Sequence, residues 1–150
     1  MNNFPAAVQH AIRALTALAA QPKGALVMVR KLAVTESITV PALAKTLQQL
    51  ARKGLLTSEK GRGGGFTLAR PPREITVAQI IEAIEGRAAL HRCSLGYASC
   101  RPKQPCYLDR LLAPTRATAL EQLNRATLQD LVRTRTRLRK NQRTKKKATA

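Results

Sequence analysis

Apolar residues recur at helical spacing along the first third of the chain. In "AAVQHAIRALTALAA" (6–20) they share one face, which predicts an amphipathic helix that "PKG" (22–24) ends. The next apolar segment, "LVMVRKLAV" (26–34), predicts a short second helix or a strand-like segment that leads into one. From Pro41, "PALAKTLQQLARKG" again places leucines on one face, and Gly54 suits the position just after a helix end.

A short turn and a glycine-rich hairpin complete this region. "TESITV" separates the second and third helices, and its Ser37 and Thr39 are candidate helix caps. Two strand candidates, 55–59 and 66–69, then flank the basic tip "KGRGGG". This order is that of a helix-turn-helix followed by a wing. The predicted fold class is mainly α with a small β-hairpin wing, in a winged helix-turn-helix domain over residues 1–86.

A further helix and a loop that contains all the cysteines follow the hairpin. The segment 75–86 is periodic in apolar residues, Thr76 and Gln79 suit a capping box, and Gly86 suits the end of the helix. The cysteine loop occupies residues 87–106.

The C-terminal part of the chain predicts one long helical region and a tail. Leucines recur at helical spacing over 107–132, and Pro114 is expected to kink or split this helix. Residues 133–150 are rich in bases and poor in apolar side chains, so they cannot bury a core. We expect them to form a disordered basic tail.

The net charge of the chain indicates which class of molecule it binds. The net charge is +19, and nine of the 27 lysines and arginines lie in residues 131–150. Residues 1–130 therefore still hold eighteen bases against eight acids, a net charge of +10. Such an excess indicates a polyanion as the partner of the folded part, and the tail is expected to add affinity for DNA of any sequence.

Composition bears on assembly and location. Aromatic residues make up only 3% of the chain and tryptophan is absent, so the core consists mainly of Ala, Leu, Ile and Val. A small core of this kind favours burial of further surface in a dimer. No apolar run of about 18 residues and no secretory signal are visible, so we expect a cytoplasmic protein with reduced thiols and no membrane contact.

The three cysteines lie close together in "HRCSLGYASCRPKQPC". Cys93, Cys100 and Cys106 have the spacing C-x6-C-x5-C. Structural zinc sites usually contain a tight C-x2–4-C pair, which is absent here. No partner triad for a catalytic thiol is visible, so the chain is not expected to be an enzyme. The loop carries bases and no acid, which favours thiolates and suits either an iron–sulfur cluster or a reversibly oxidised thiol pair.

Several motifs in one order resemble a known family. "AIRAL" lies in the first helix, and "LQQLARKGLLTSEKGRGGGFTLARPPREITVAQIIEAIEG" spans 47–86. The three cysteines follow, and then "TLQDLV" (127–132). This string resembles the IscR/NsrR (Rrf-two) family of bacterial transcription regulators, and its NsrR branch most closely, over about residues 5–132. The resemblance implies a homodimer with 107–132 as the dimerisation helix, double-stranded operator DNA as partner, and an iron–sulfur cluster (2Fe–2S or 4Fe–4S) bound by the cysteines.

A cluster normally has four protein ligands, so three cysteines leave one ligand to be found. In NsrR-type members the first helix supplies an acidic residue, and the matching position here is Gln9, beside His10. His10 or Gln9 are therefore the candidate fourth ligands, and water or a small thiol is the alternative. The first gap between cysteines is six residues, one longer than is typical of that branch.

The helix-turn-helix pattern also predicts which residues meet DNA. Side chains near the start of the recognition helix are expected to face base edges, and later bases and the wing tip are expected at phosphates or in the minor groove. Glycines at the tip let the backbone approach a phosphate. The candidate DNA-binding residues are Thr39, Val40, Ala42, Lys45, Gln48, Gln49, Arg52, Lys53, Lys60, Arg62, Gly63 and Gly64.

The resulting hypothesis is a homodimeric repressor that binds a palindromic operator. It would report nitric oxide, redox state or iron status through an iron–sulfur cluster. A cluster-free DNA-binding regulator that senses by thiol oxidation or a small molecule is the main alternative. A structural basic protein that binds nucleic acid would explain the charge but not the cysteine loop.

Overall fold

The computed structural model describes residues 4–87 and 105–136. Its elements are α1 (Ala6–Ala19), α2 (Val29–Glu36), α3 (Val40–Arg52), β1 (Leu56–Glu59), β2 (Gly65–Leu68), a 3-10 turn (Pro72–Glu74), α4 (Val77–Glu85) and α5 (Tyr107–Arg125). Residues 128–136 form one more helix, α6. The predicted fold class, mainly α with a hairpin wing, is confirmed.

The helix-turn-helix is formed by α2 and α3, and local sequence explains its turn. Ser37 ends α2 in the left-handed conformation with φ 52°, so it caps the end of α2 rather than the start of α3. Thr39 does occupy the N-cap of α3, but its side chain makes no capping hydrogen bond. Pro41 lies in the first turn of α3, as expected, and Gly54 follows its end with φ 73°.

The hairpin is an antiparallel pair in which Leu56 faces Leu68 and Glu59 faces Gly65. Val27, which precedes α2, pairs with β2 through an isolated bridge: its N–H and carbonyl exchange hydrogen bonds with Phe66, each 3.0 Å long. Both interpretations of segment 26–34 therefore apply to different parts of it, since Val27 is strand-like and α2 begins two residues later.

The core lies where α1, α3 and α4 meet the base of the hairpin. Its fully buried large side chains are Val8, Leu15, Leu43, Leu47, Leu50, Ile75, Ile80 and Leu128. Leu128 comes from α6, so the end of the chain returns to complete the core of the winged domain. By contrast, α5 buries none of its residues within the chain.

The helical region after the cysteines is divided at a different place from the one expected. Pro114 lies inside α5, which runs from Tyr107 through Arg125. The prediction that the helix is split at Pro114 is therefore wrong. The break falls at Ala126, whose backbone is extended. The predicted boundary at Val132 also falls within a helix, because residues 133–136 continue α6; residues 137–150 lie outside the described part.

The capping box predicted for α4 is confirmed. Thr76 Oγ1 accepts from the N–H of Gln79, and Gln79 Oε1 accepts from the N–H of Thr76. Gly86 ends the helix with φ 85°. No helix in the two described stretches is long and apolar enough to cross a membrane.

A second cap of the same kind fixes the start of α6. Asp130 Oδ2 accepts from the N–H of Thr127 at 2.9 Å and from its hydroxyl at 2.6 Å. These two hydrogen bonds, first that from the Thr127 hydroxyl and then that from its N–H, lower the pKa of Asp130 below its ordinary value of 3.8. The neighbouring backbone is held against the start of α4 and the residue before its N-cap, because Val77 donates to the Ala126 carbonyl and Leu128 donates to the Ile75 carbonyl.

This cap predicts an acid-dependent loss of stability. A carboxyl whose pKa is lower in the folded state contributes stability above its unfolded pKa, and that contribution is lost as the pH falls through the folded value. We therefore expect the wild-type chain to lose more stability than Asp130→Asn as the pH falls below about 4. Urea unfolding at a series of pH values measures this difference. Parallel pH profiles for the two proteins would contradict the role of the cap.

Candidate nucleic-acid interface

The solvent-facing side of α3 carries most of the predicted DNA-binding residues. Thr39, Val40, Lys45, Gln48, Arg52 and Lys53 are all exposed on it. Its opposite side is fixed by Leu43, Leu47 and Leu50, which are fully buried. A helix held in this way presents Thr39, Val40 and Lys45 from its N-cap and first two turns, the region that a recognition helix places in the major groove.

Two of the predicted residues on α3 point elsewhere. Ala42 is half-buried and packs against the core. The side-chain nitrogen of Gln49 donates to the carbonyl of Ala83 at 3.1 Å and to that of Ile84 at 2.8 Å. Both carbonyls belong to the last turn of α4, where no N–H of the helix itself is available to them. Gln49 therefore joins α3 to α4, and we omit it and Ala42 from the interface proposed below.

The contrast between Gln48 and Gln49 gives a direct test. Gln49→Ala should lower the free energy of unfolding by about 1–2 kcal/mol, because it removes two hydrogen bonds and leaves carbonyls unpaired. Gln48 is exposed, so Gln48→Ala should change stability by no more than about 0.5 kcal/mol. Urea unfolding of both variants measures these effects. Equal losses of stability would show that the Gln49 contact contributes nothing.

The wing tip is basic, and two of its glycines are required for different structural reasons. Lys60 and Arg62 are exposed. Gly63 has φ 81°, a conformation that favours glycine, and the turn needs it there. A side chain on Gly64 would collide with the carbonyl of Glu59, so its smallness lets the loop close. The predicted tip residues thus form one turn that projects two cations.

Sequence reasoning missed two further bases. Arg30 and Lys31 lie in the first turn of α2 and are exposed. In a helix-turn-helix the first of the two helices crosses the phosphate backbone, so cations at this position are suited to phosphates. The adjacent pair "RK" within segment 26–34 was a usable signal. Because the sequence was compatible with either a helix or a strand-like segment there, it did not predict which way these two side chains point.

Of the predicted cluster ligands, the structure describes Cys106, Gln9 and His10. Cys106 is exposed at the N-cap of α5, and its sulfur accepts a hydrogen bond from the N–H of Asp109 at 3.4 Å. The side-chain nitrogen of Gln9 donates to the Phe4 carbonyl at 2.6 Å. His10, the next residue of α1, is half-buried. Cys93 and Cys100 lie outside the described residues.

Comparison with known proteins identifies the family. The model of the Rrf2 family, described as "Iron-dependent Transcriptional regulator", matches residues 4–134. The chain belongs to the Rrf2 family. It is 32% identical over 124 residues to the HTH-type transcriptional regulator NsrR of Shouchella clausii, a match that covers 82% of this chain and 83% of that protein.

Solved structures show the same fold. CymR, the global cysteine regulator of B. subtilis, superposes with a TM-score of 0.73 at 22% identity, covering 89% of this chain and 98% of that one. T. potens IscR superposes with a TM-score of 0.70 at 22% identity, covering 89% of this chain and 88% of that one. The resemblance inferred from the sequence motifs is thus confirmed at the level of the family. This Rrf2 protein is a DNA-binding transcriptional regulator.

Proposed function

We propose that this Rrf2 protein is a repressor that binds a palindromic operator as a homodimer and senses nitric oxide, redox state or iron status. The observation that carries the DNA-binding part is the exposed face of α3. α3 contacts both α2 and the hairpin, the start of α2 and the wing tip carry exposed cations, and a buried leucine row holds α3 in place.

Each part of this surface has a task that its chemistry suits. Lys45 and Gln48 are long enough to reach base edges, where lysine suits guanine and glutamine suits adenine. Thr39 and Val40 lie at the start of the helix and fit contacts with a thymine methyl or a phosphate. The remaining exposed bases of the interface are suited to contacts with phosphates or the minor groove: Arg30, Lys31, Arg52, Lys53, Lys60 and Arg62.

The homodimer is proposed from the surface of α5. Tyr107, Leu111 and Leu112 are 76%, 61% and 36% exposed, although they lie on one nineteen-residue helix. Apolar side chains grouped in this way favour burial against a second copy of the same helix. Two-fold symmetry of the protein then requires two-fold symmetry of the operator.

A substitution on α5 tests the dimer. Leu111→Asp should raise the dissociation constant of the dimer at least about tenfold, because it places a charge among apolar side chains. Sedimentation equilibrium over a range of protein concentrations measures it. The matched control is Gln122→Asp, at an exposed polar position on the same helix. A monomeric wild-type chain, or equal effects of the two variants, would contradict dimerisation through α5.

We propose Cys93, Cys100 and Cys106 as ligands of an iron–sulfur cluster. The donor set fits in kind, since thiolates are the usual ligands and Cys106 accepts an N–H hydrogen bond of the type that tunes cluster sulfurs. When bound, the cluster supplies iron that reacts with oxidants or nitric oxide. Cys106 caps α5, so a change in how its sulfur is held acts on the start of that helix.

One observation favours the cluster-free alternative as well. The candidate position in α1 is Gln9, whose side-chain nitrogen is engaged by Phe4, and it offers no carboxylate. If His10 also makes no bond to iron, the site has three cysteine ligands and an exposed fourth position. In that alternative, an oxidant such as peroxide converts two of the three thiols reversibly into a disulfide.

One series of experiments tests both parts of this function. The full chain is purified without oxygen, its iron, sulfide and absorbance are measured, and it is used to select duplexes from a random-sequence library. We expect stoichiometric iron, visible absorbance and a palindromic consensus. A Cys93→Ala, Cys100→Ala, Cys106→Ala variant should lose the iron and the response to nitric oxide or peroxide, and His10→Ala tests the fourth ligand.

The possible outcomes separate the hypotheses. An iron-free protein that selects a palindrome and responds to peroxide through its cysteines supports the thiol switch and excludes the cluster. A triple variant that keeps its response excludes both cysteine mechanisms. A chain that binds DNA without any sequence preference contradicts operator recognition.

A further inference from the structure

A buried carboxylate lies at the turn of the helix-turn-helix. Glu36 is the last residue of α2 and is only 4% exposed. Its carboxylate forms ion pairs with Arg13 of α1 and with Arg135 of α6. The Arg13 guanidinium also donates to the backbone carbonyl of Glu36. One residue of the turn is therefore held from two sides, by segments 23 and 99 residues away in the chain.

Loss of either arginine would leave the buried Glu36 carboxylate incompletely paired, which is energetically unfavourable. A charge taken out of water is unfavourable unless it is paired and hydrogen-bonded, so Glu36 depends on its two partners. The side chain of Arg13 is 46% exposed and that of Arg135 only 21% exposed. Arg135 also donates to the backbone carbonyl of Arg13 at 3.2 Å, which fixes its own orientation. Of the two cations, Arg135 is thus the more enclosed.

The position of Glu36 makes the contact relevant to α3. Only Ser37, Ile38 and Thr39 separate Glu36 from the first residue of the recognition helix. Ser37 is held in the left-handed conformation, and Ile38 is buried and donates to the carbonyl of Ala33. Because this short turn has little freedom, a displacement of Glu36 moves the start of α3.

The position of Arg135 makes the contact relevant to α5. The helix that carries Arg135 begins directly after α5, at the junction pinned to α4 by Ala126 and Leu128. The other end of α5 begins at Cys106, the last residue of the cysteine loop. α5 contacts α4, and its backbone continues through the junction at Ala126 into α6. A displacement of α5 is therefore transmitted to α6 through the backbone.

We infer that Arg135 is a positioning residue for the recognition helix, acting through Glu36. It links the helix that follows the cysteine loop and α5 to the turn that sets the start of α3. This inference rests on the proposed operator binding. It assigns a role in specific DNA binding to one base of the C-terminal segment, beyond the affinity for DNA of any sequence that positive charge supplies.

A matched pair of variants tests the inference. Arg133 lies on the same helix, is 71% exposed and is 3.9 Å from Asp130, so Arg133→Met removes one positive charge without touching Glu36. Arg135→Met removes one charge and the contact with Glu36. Both full-length variants are titrated, by fluorescence anisotropy at fixed salt, with the duplex that the wild-type chain selects and with a shuffled duplex of equal composition.

The two duplexes separate positioning from charge and from stability. Arg135→Met should weaken binding of the selected duplex about tenfold or more, and both variants should weaken binding of the shuffled duplex to a similar, small extent. A purely structural role would lower the thermal midpoint but leave the ratio of the two affinities unchanged at a temperature where all variants are folded. Arg135→Lys should restore most of the specific affinity, because an ammonium can still pair with Glu36.

A double-mutant cycle shows whether Arg135 acts through Glu36. In a Glu36→Gln background, Arg135→Met should change the specific affinity by less than about twofold. Equal effects of Arg133→Met and Arg135→Met on the selected duplex would overturn the inference, and so would a full effect of Arg135→Met in that background. If Glu36→Gln does not fold, Arg135→Met is compared with Arg135→Lys and with the charge control Arg133→Met, and equal effects of the two Met variants overturn the inference. A wild-type chain that selects no sequence instead contradicts the proposed function.

Discussion

Leu128→Ala is expected to lower the free energy of unfolding by about 2–5 kcal/mol, the cost of a large cavity in a closely packed core. Leu128 is 0% exposed and packs within the main core cluster, although it lies 42 residues after the end of the winged domain predicted from sequence at residue 86. The loss should appear in urea unfolding of the full chain. It would show that α6 is part of the DNA-binding domain.

The control for Leu128 is Val34→Ala. Val34 is 82% exposed on α2, so its truncation removes little buried surface and should change stability by no more than about 0.5 kcal/mol. Both variants are measured at the same protein concentration, because the stability of a dimer depends on concentration. A Leu128→Ala variant as stable as Val34→Ala would mean that α6 does not pack on the core in solution.

Gly65→Ala is expected to separate the wing from the body of the domain. A Cβ on Gly65 would lie 2.6 Å from both the carbonyl carbon and the oxygen of Val27, closer than real Cβ contacts. The obstacle is backbone, so the strand has to move. The two hydrogen bonds between Val27 and Phe66 should then be lost, at a cost of about 2 kcal/mol.

Amide hydrogen exchange gives the most direct measurement. In Gly65→Ala the Phe66 N–H, which donates to the Val27 carbonyl, should lose protection. Gly61→Ala is the matched control at the wing tip, because an added Cβ there meets no atom within 4 Å and only its φ of 96° opposes the substitution. In that variant Phe66 should keep its protection. Loss of protection in both variants would mean that the whole hairpin, and not the Gly65 contact, is sensitive.

Local features of the chain were predictable because their causes lie within a few residues. The capping box of Thr76 and Gln79, the left-handed Gly54 and the hairpin follow from side chains and glycines close together in sequence. Helical periodicity likewise separated the buried leucines of α3 from its exposed Lys45 and Gln48. The roles of these exposed residues toward DNA, and of the three cysteines toward iron, stay predictions.

Periodicity fails where a contact depends on how distant segments meet. Gln49 and Gln48 are adjacent and chemically identical, yet only Gln49 reaches the carbonyl oxygens of Ala83 and Ile84. The pattern at Pro114 suggested a break, but the end of α5 lies at Ala126, where the backbone is held by Val77. A proline removes one helical hydrogen bond, whereas pairing with another element fixes the course of the chain.

By itself, then, the amino-acid sequence determined the helices, the wing, the excess of positive charge and membership of a family of regulators. Tertiary structure alone decided that α6 returns to the core and that Arg135 meets Glu36 across 99 residues. The reason is physical. Caps, turns and amphipathic faces depend on neighbours along the chain, whereas the burial of Leu128 and the pairing of a buried carboxylate exist only once the chain has closed on itself.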